Sequence, residues 1–183
     1  MQTGRKEFEL GRNYFELFEL PLTFDIDSAD LSARYRDLQR RFHPDRYVSA
    51  SDQDRRLSLQ MTAFINEAYQ TLNDPLARGR YILGLHGMGT DEETDTVMDP
   101  GFLVEQMELR EHLEDARRAP DAAPRLAQLA QDMARRLATA AEELGRRLHE
   151  DSASSRLRAR SIVREMQFLR KVLQEIEELE LSA

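Results

Sequence analysis

The sequence predicts an all-α protein: an N-terminal four-helix unit containing a helical hairpin, then an antiparallel three-helix bundle. Three observations lead there. Apolar residues recur at three- and four-residue steps, while strand-type alternation is absent. The stretch LHGMGTDEETDTVMDPG, rich in glycine and acidic residues, breaks that period from about His86 to Pro100. Beyond it, three helical patterns are separated only by APDAAP (119–124) and HEDSASS (149–155), and short connections make neighbouring helices antiparallel. Residues 13–85 and 101–183 are therefore read as the two units, with 86–100 a linker and 1–12 an N-terminal extension.

Each element has its own local reason. Asn13 and Glu16 make a capping-box start for a short first helix that Pro21 stops. Asp27 or Ser28 caps the second, whose apolar stripe is Leu31, Tyr35, Leu38 and Phe42. His43 precedes a proline, which disfavours helical backbone, so this helix ends near Phe42. A third begins near Asp52 and carries Leu57, Met61, Phe64, Ile65, Ala68 and Leu72. A short fourth starts at Pro75, a favourable first-turn residue, and runs to about Leu85. In the bundle the middle helix shows Leu126, Ala130, Met133, Leu137, Ala140 and Leu144; the last shows Ile162, Met166, Leu169, Leu173 and Ile176.

Composition removes several function classes. With no cysteine, disulfides, zinc–thiolate sites and protein-ligated iron–sulfur clusters are excluded. No 18-residue apolar run is present, and the first twenty residues lack a signal-peptide core, so neither a membrane span nor export is expected and the cytoplasm is the default location. The net charge of −8 opposes a nucleic-acid partner. The acidic excess lies in the second half, however. Between Arg34 and Arg46 five arginines face two aspartates, leaving one basic patch.

That patch ends in the tripeptide His43-Pro44-Asp45. As a catalytic pair it is poor, since no nearby motif supplies a nucleophile, an orienting group or a pocket. As a metal site it is no better, because His43, His86, His112 and His149 are scattered without ligand spacing. Two readings stay open: a helix stop with solvated turn formers, or a docking tip. For the second, Arg36 and Arg40 stand together on one face of helix two. The tip would then be a fixed polar loop beside a cationic face, which suits an acidic protein surface.

A second feature lies in GFLVEQMELREHLED (101–115). At about 100° per residue, Phe102, Leu109, Leu113 and Ala116 cluster as a core stripe. Leu103, Val104 and Met107 fall on nearly the opposite side, with Glu111 and Asp115. A bundle helix buries one broad stripe, so the second is either covered by another part of the chain or is a partner-binding face with a charged rim. Phe168, about 100° from the centre of the last helix's stripe, joins that face or packs at the bundle edge.

YRDLQRRFHPDR (35–46) and NEAYQTLNDPLARGRYIL (66–83) make the segment from Tyr14 to about Leu85 resemble a J-domain, the module that docks on DnaK-type chaperone ATPases and stimulates them. With FLVEQMELRE in the acidic bundle, residues 13 to 181 as a whole resemble the HscB family of iron–sulfur co-chaperones. The resemblance implies that His43, Pro44 and Asp45, with Arg36, Arg40, Arg41 and Arg46, meet an HscA/DnaK-type chaperone. It implies too that Leu103, Val104, Met107, Glu108, Glu111, Asp115 and Phe168 face an IscU-type iron–sulfur scaffold. Val104 and Asp115 look like conservative variants of bulkier or longer family residues. The first dozen residues have no counterpart in the typical bacterial pattern. Some members carry a cysteine metal module that this chain lacks, so neither metal nor other cofactor is expected. On this reading the chain has no active site, and the bond cleaved is in ATP held by the partner. The alternatives are a J-domain protein whose bundle serves a different client or self-associates, and a nucleic-acid binder using the arginine patch.

Overall fold

The computed structural model describes residues 12–47, 51–89, 100–150 and 152–181, and among these every regular element is helical. They are α1 (Tyr14–Leu17), α2 (Ser28–Phe42), a 3₁₀ turn (Pro44–Tyr47), α3 (Asp52–Asn73), α4 (Pro75–Leu85), α5 (Pro100–Arg118), α6 (Ala122–Glu150) and α7 (Ala153–Leu181). Two compact units divide within α4, between Tyr81 and Ile82. The extension and the centre of the expected linker, residues 1–11 and 90–99, lie outside the described residues.

In the first unit the local signals act as expected. The Asn13 side chain accepts from the Glu16 amide and the Glu16 carboxylate accepts from the Asn13 amide, both at 3.0 Å, closing the capping box. Asp27 caps α2 through the amides of Ala29 and Asp30. Ser51, one residue before the expected start, caps α3. α3 packs against both α1 and α2. The core joins Phe15, Phe18 and Leu31 to Met61, Ile65, Ala68 and Leu72 of α3.

Two arginines lock the loops around this core. Arg78 donates to the carbonyls of Leu72 and Phe24 and lies 5.1 Å above the Phe24 ring. Arg34 pairs with Asp30 at 3.0 Å and donates to the carbonyls of Phe18 and Glu19, where Glu19 takes a left-handed φ of 53°. One expectation fails: Leu57 is 45% exposed and not part of the core stripe. It lies in the second turn of α3, beside the loop that closes the α2–α3 hairpin, where the neighbouring Ser58 and not Leu57 takes the buried position.

In the second unit α6 and α7 pack together and α5 lies against both. Leu109, Leu113 and Ala116 of α5 meet Leu126 and Met133 of α6 and Leu169, Val172 and Ile176 of α7 in one cluster. Leu173, expected in the stripe, is only half-buried, and Val172 fills the core in its place. The connection between α5 and α6 is shorter than the sequence suggests. α6 already begins at Ala122, and Pro124 sits in its first turn, where a missing amide costs no helical hydrogen bond. Arg136 of α6 pairs with Glu105 of α5 and, at 3.8 Å, Glu165 of α7, so one cation ties all three helices. No helix among the described residues is long and apolar enough to cross a membrane.

Candidate functional site

Two surfaces carry the candidate residues, one in each unit. The first is built at the C-terminal end of α2. Pro44 has no amide proton and pushes His43 out of helical backbone (φ −57°, ψ 129°), so α2 stops and the chain turns. The turn is cross-braced. The Arg46 amide donates to the His43 carbonyl at 3.0 Å, and the Arg46 guanidinium reaches back to the Arg40 carbonyl at 3.2 Å. The Asp45 amide donates to His43 Nδ1 at 3.3 Å. The Asp45 carboxylate, 3.6 Å from the same nitrogen, is strongly exposed.

Beside the tip an open groove of about 420 Å³ is lined by Arg36, Gln39, Arg40, His43 and Arg46. Arg36, Gln39 and Arg40 fall at helical steps of three and four on one face of α2, and the turn brings His43 and Arg46 beside them. The structure thus gathers four of the five expected cationic and imidazole groups. Arg41 is not among them; its guanidinium lies 5.5 Å over the Phe42 ring. Gln39 also belongs to the groove, and its place three residues from Arg36 and four from His43 is the signal for it in the sequence. It is held by the Tyr35 hydroxyl and Asn66 of α3, while Tyr35 stacks on Tyr69 at 4.0 Å. The groove's α2 wall is therefore fixed to α3 by polar and aromatic contacts together.

The second surface is on α5. Leu103, Val104 and Met107 are 46%, 54% and 58% exposed, and Glu108, Glu111 and Asp115 beside them are exposed as well. These three side chains are exposed, while Leu109, Leu113 and Ala116 on the other side of α5 lie in the core. Phe168 is half-buried on α7, packed against that core and edge-on to Phe102, with ring centroids 6.0 Å apart and planes at 83°. It stands at the bundle edge. Arg110 and Glu175, 3.7 Å apart, join α5 to α7 on another flank. Among the described residues no group of His, Asp and Glu is spaced to hold a metal ion.

Comparison with known proteins matches these features to one family. Residues 98–177 fit the family model described as the HSCB C-terminal oligomerisation domain. A co-chaperone protein HscB homolog of Shewanella baltica (strain OS195) is 42% identical over 168 residues, covering 92% of this chain and 97% of that protein. Among solved structures, the chaperone HscB from Vibrio cholerae is 39% identical with a TM-score of 0.80, covering 93% of this chain and 99% of its own. The human co-chaperone protein HscB is 29% identical with a TM-score of 0.86, covering 96% and 86%. A helical N-terminal unit with a His-Pro-Asp tip, an acid-rimmed three-helix bundle and identity that runs through both have one reading: the chain belongs to the HscB family of J-domain co-chaperones.

Proposed function

We propose that this co-chaperone captures an IscU-type iron–sulfur scaffold on α5, delivers it to an HscA/DnaK-type chaperone, and stimulates that chaperone's ATPase through His43-Pro44-Asp45, in the cytoplasm. The observation that carries the reading is the pair of exposed surfaces of opposite chemistry: a cationic groove at a braced tip, and an apolar face rimmed by acids. On the J-domain, Arg36, Arg40 and Arg46 steer an acidic partner surface into register and raise the association rate. The His43 imidazole and the Asp45 carboxylate are then presented together at the braced tip. On the bundle, burial of Leu103, Val104 and Met107 supplies affinity, and Glu108, Glu111 and Asp115 set orientation. Phe168, half-buried, adds a ring edge to the rim of that contact. ATP is cleaved in the partner. Acceleration therefore requires that the tip bind one conformation of the chaperone better than the other.

Phosphate release from an HscA-type chaperone with ATP, titrated with this protein with and without the scaffold, tests the reading. Stimulation that grows with scaffold and disappears in His43→Gln is expected; stimulation indifferent to scaffold would reassign the bundle to another client. Self-association through the bundle is the second reading, favoured by the oligomerisation domain matched at residues 98–177. Sedimentation decides it: a tight homodimer that ignores the scaffold would displace the first reading.

A further inference from the structure

Ser58 is 1% exposed, and in the first unit it is the one fully buried polar side chain among the described residues. Its hydroxyl donates at 2.8 Å to the carbonyl of Phe42, the last residue of α2 and the one before His43. One turn later on the same face of α3, the Thr62 hydroxyl shares its proton between that carbonyl at 3.2 Å and the Ser58 carbonyl at 2.9 Å. The last four carbonyls of a helix have no partner within it. At this end of α2 two are taken by side chains: Arg40's by Arg46 from within the turn, and Phe42's by α3 from below. Helix stability does not require a buried hydroxyl from another helix, since water satisfies most such ends. A carbonyl gripped from α3 does one thing water cannot: it fixes the peptide plane from which the His43-Pro44-Asp45 turn departs.

We infer that Ser58, assisted by Thr62, is a positioning residue for chaperone stimulation, holding the tip in its docking geometry through the Phe42 carbonyl. The inference rests on the proposed role of the tip. Releasing the carbonyl lets the tip sample other exits from α2. If only about a tenth of molecules then hold the docking geometry, the concentration giving half-maximal stimulation rises about tenfold while the maximum is unchanged, because a docked tip is the same tip. A purely structural role would show only as lost stability.

The test compares wild type, Ser58→Ala, Thr62→Val, Thr62→Ser and a destabilised control, Ile65→Val, whose fully buried side chain carries no hydroxyl and lies two turns beyond Ser58 on α3. Each is titrated into the HscA-type chaperone with ATP, and each is shown by circular dichroism to be folded at the assay temperature. The expected result is a roughly tenfold rise in half-saturation for Ser58→Ala, a smaller rise for Thr62→Val, recovery in Thr62→Ser, and no rise for Ile65→Val. Should Ser58→Ala not fold, the Thr62→Val and Thr62→Ser pair decides alone. Equal half-saturation in wild type and the hydroxyl variants, or an equal rise in Ile65→Val, overturns the inference. Failure of wild type itself to stimulate would overturn instead the role assigned to the tip.

Discussion

Truncating Leu103, Val104 and Met107 together to alanine separates binding from stability. Each side chain has about half of its surface in water, at 46%, 54% and 58%. Full burial of such a side chain contributes about 1.5–3 kcal/mol. Covering the exposed half of each therefore contributes about 0.8–1.5 kcal/mol, and the three together about 2.3–4.5 kcal/mol. Alanine keeps the Cβ, so the loss on truncation is about 2–4 kcal/mol, or roughly 30- to 700-fold in Kd. Stability should scarcely move, because exposed positions away from caps and buried networks change it by about 0.5 kcal/mol or less each. Calorimetric titration of an IscU-type scaffold into wild type and the triple variant measures the first quantity, and circular dichroism melts the second. Less than about a threefold change in Kd with an unchanged melt would refute the assignment of this face. A large fall in melting temperature would instead show that the three residues serve the bundle.

Other expectations follow from single contacts. Leu169 is fully buried at the centre of the bundle cluster, so Leu169→Ala should cost about 2–5 kcal/mol in urea unfolding, and a cost below about 1 kcal/mol would contradict the packing described. Burial, reinforced by its hydrogen bond to the Glu67 carboxylate, pushes the Tyr14 phenol up to about 12, and burial raises Tyr81 in the same direction. A folded-state value above the ordinary 10 means that the stability Tyr14 contributes is whole below pH 10 and is lost as pH rises towards 12. The urea midpoint should fall across that window and fall less steeply in Tyr14→Phe; an unchanged slope would assign the effect elsewhere. Arg36→Ala with Arg40→Ala should slow association with the chaperone and flatten its dependence on salt, which stopped-flow binding at low and high ionic strength would show.

How much of this was legible in the sequence depends on the range of the contact. Asn13 with Glu16, Pro44 after His43, and Pro75 are local devices, and each sets a helix end at or within a residue of where the chain pattern puts it. The outward stripe of Leu103, Val104 and Met107 was legible as an angle on α5, because helical periodicity is local as well. What covers a face is not local. Leu57 shares the period of a core residue, yet near the loop that closes the hairpin its neighbour Ser58 is the buried one. Phe168 has an ambiguous angle, and its edge-on pairing with Phe102 is made across two helices. The Ser58 and Thr62 hydroxyls left only the trace of two polar residues four apart beside an apolar stripe; their partner, the Phe42 carbonyl, lies on another helix. Gln39 falls between these cases: its face was readable, but its anchorage to Tyr35 and Asn66 was not.

The central claim is that one chain carries two independent docking surfaces, and Asp45→Asn tests it most directly. The Asp45 carboxylate is strongly exposed at the tip and belongs to the first compact unit, whereas Leu103, Val104 and Met107 belong to the second. The measurement is scaffold affinity by calorimetry and chaperone ATPase stimulation by phosphate release, both on the same preparation of the variant. The account predicts stimulation abolished and scaffold Kd unchanged within about twofold; loss of both together, in a protein that melts like wild type, would contradict it.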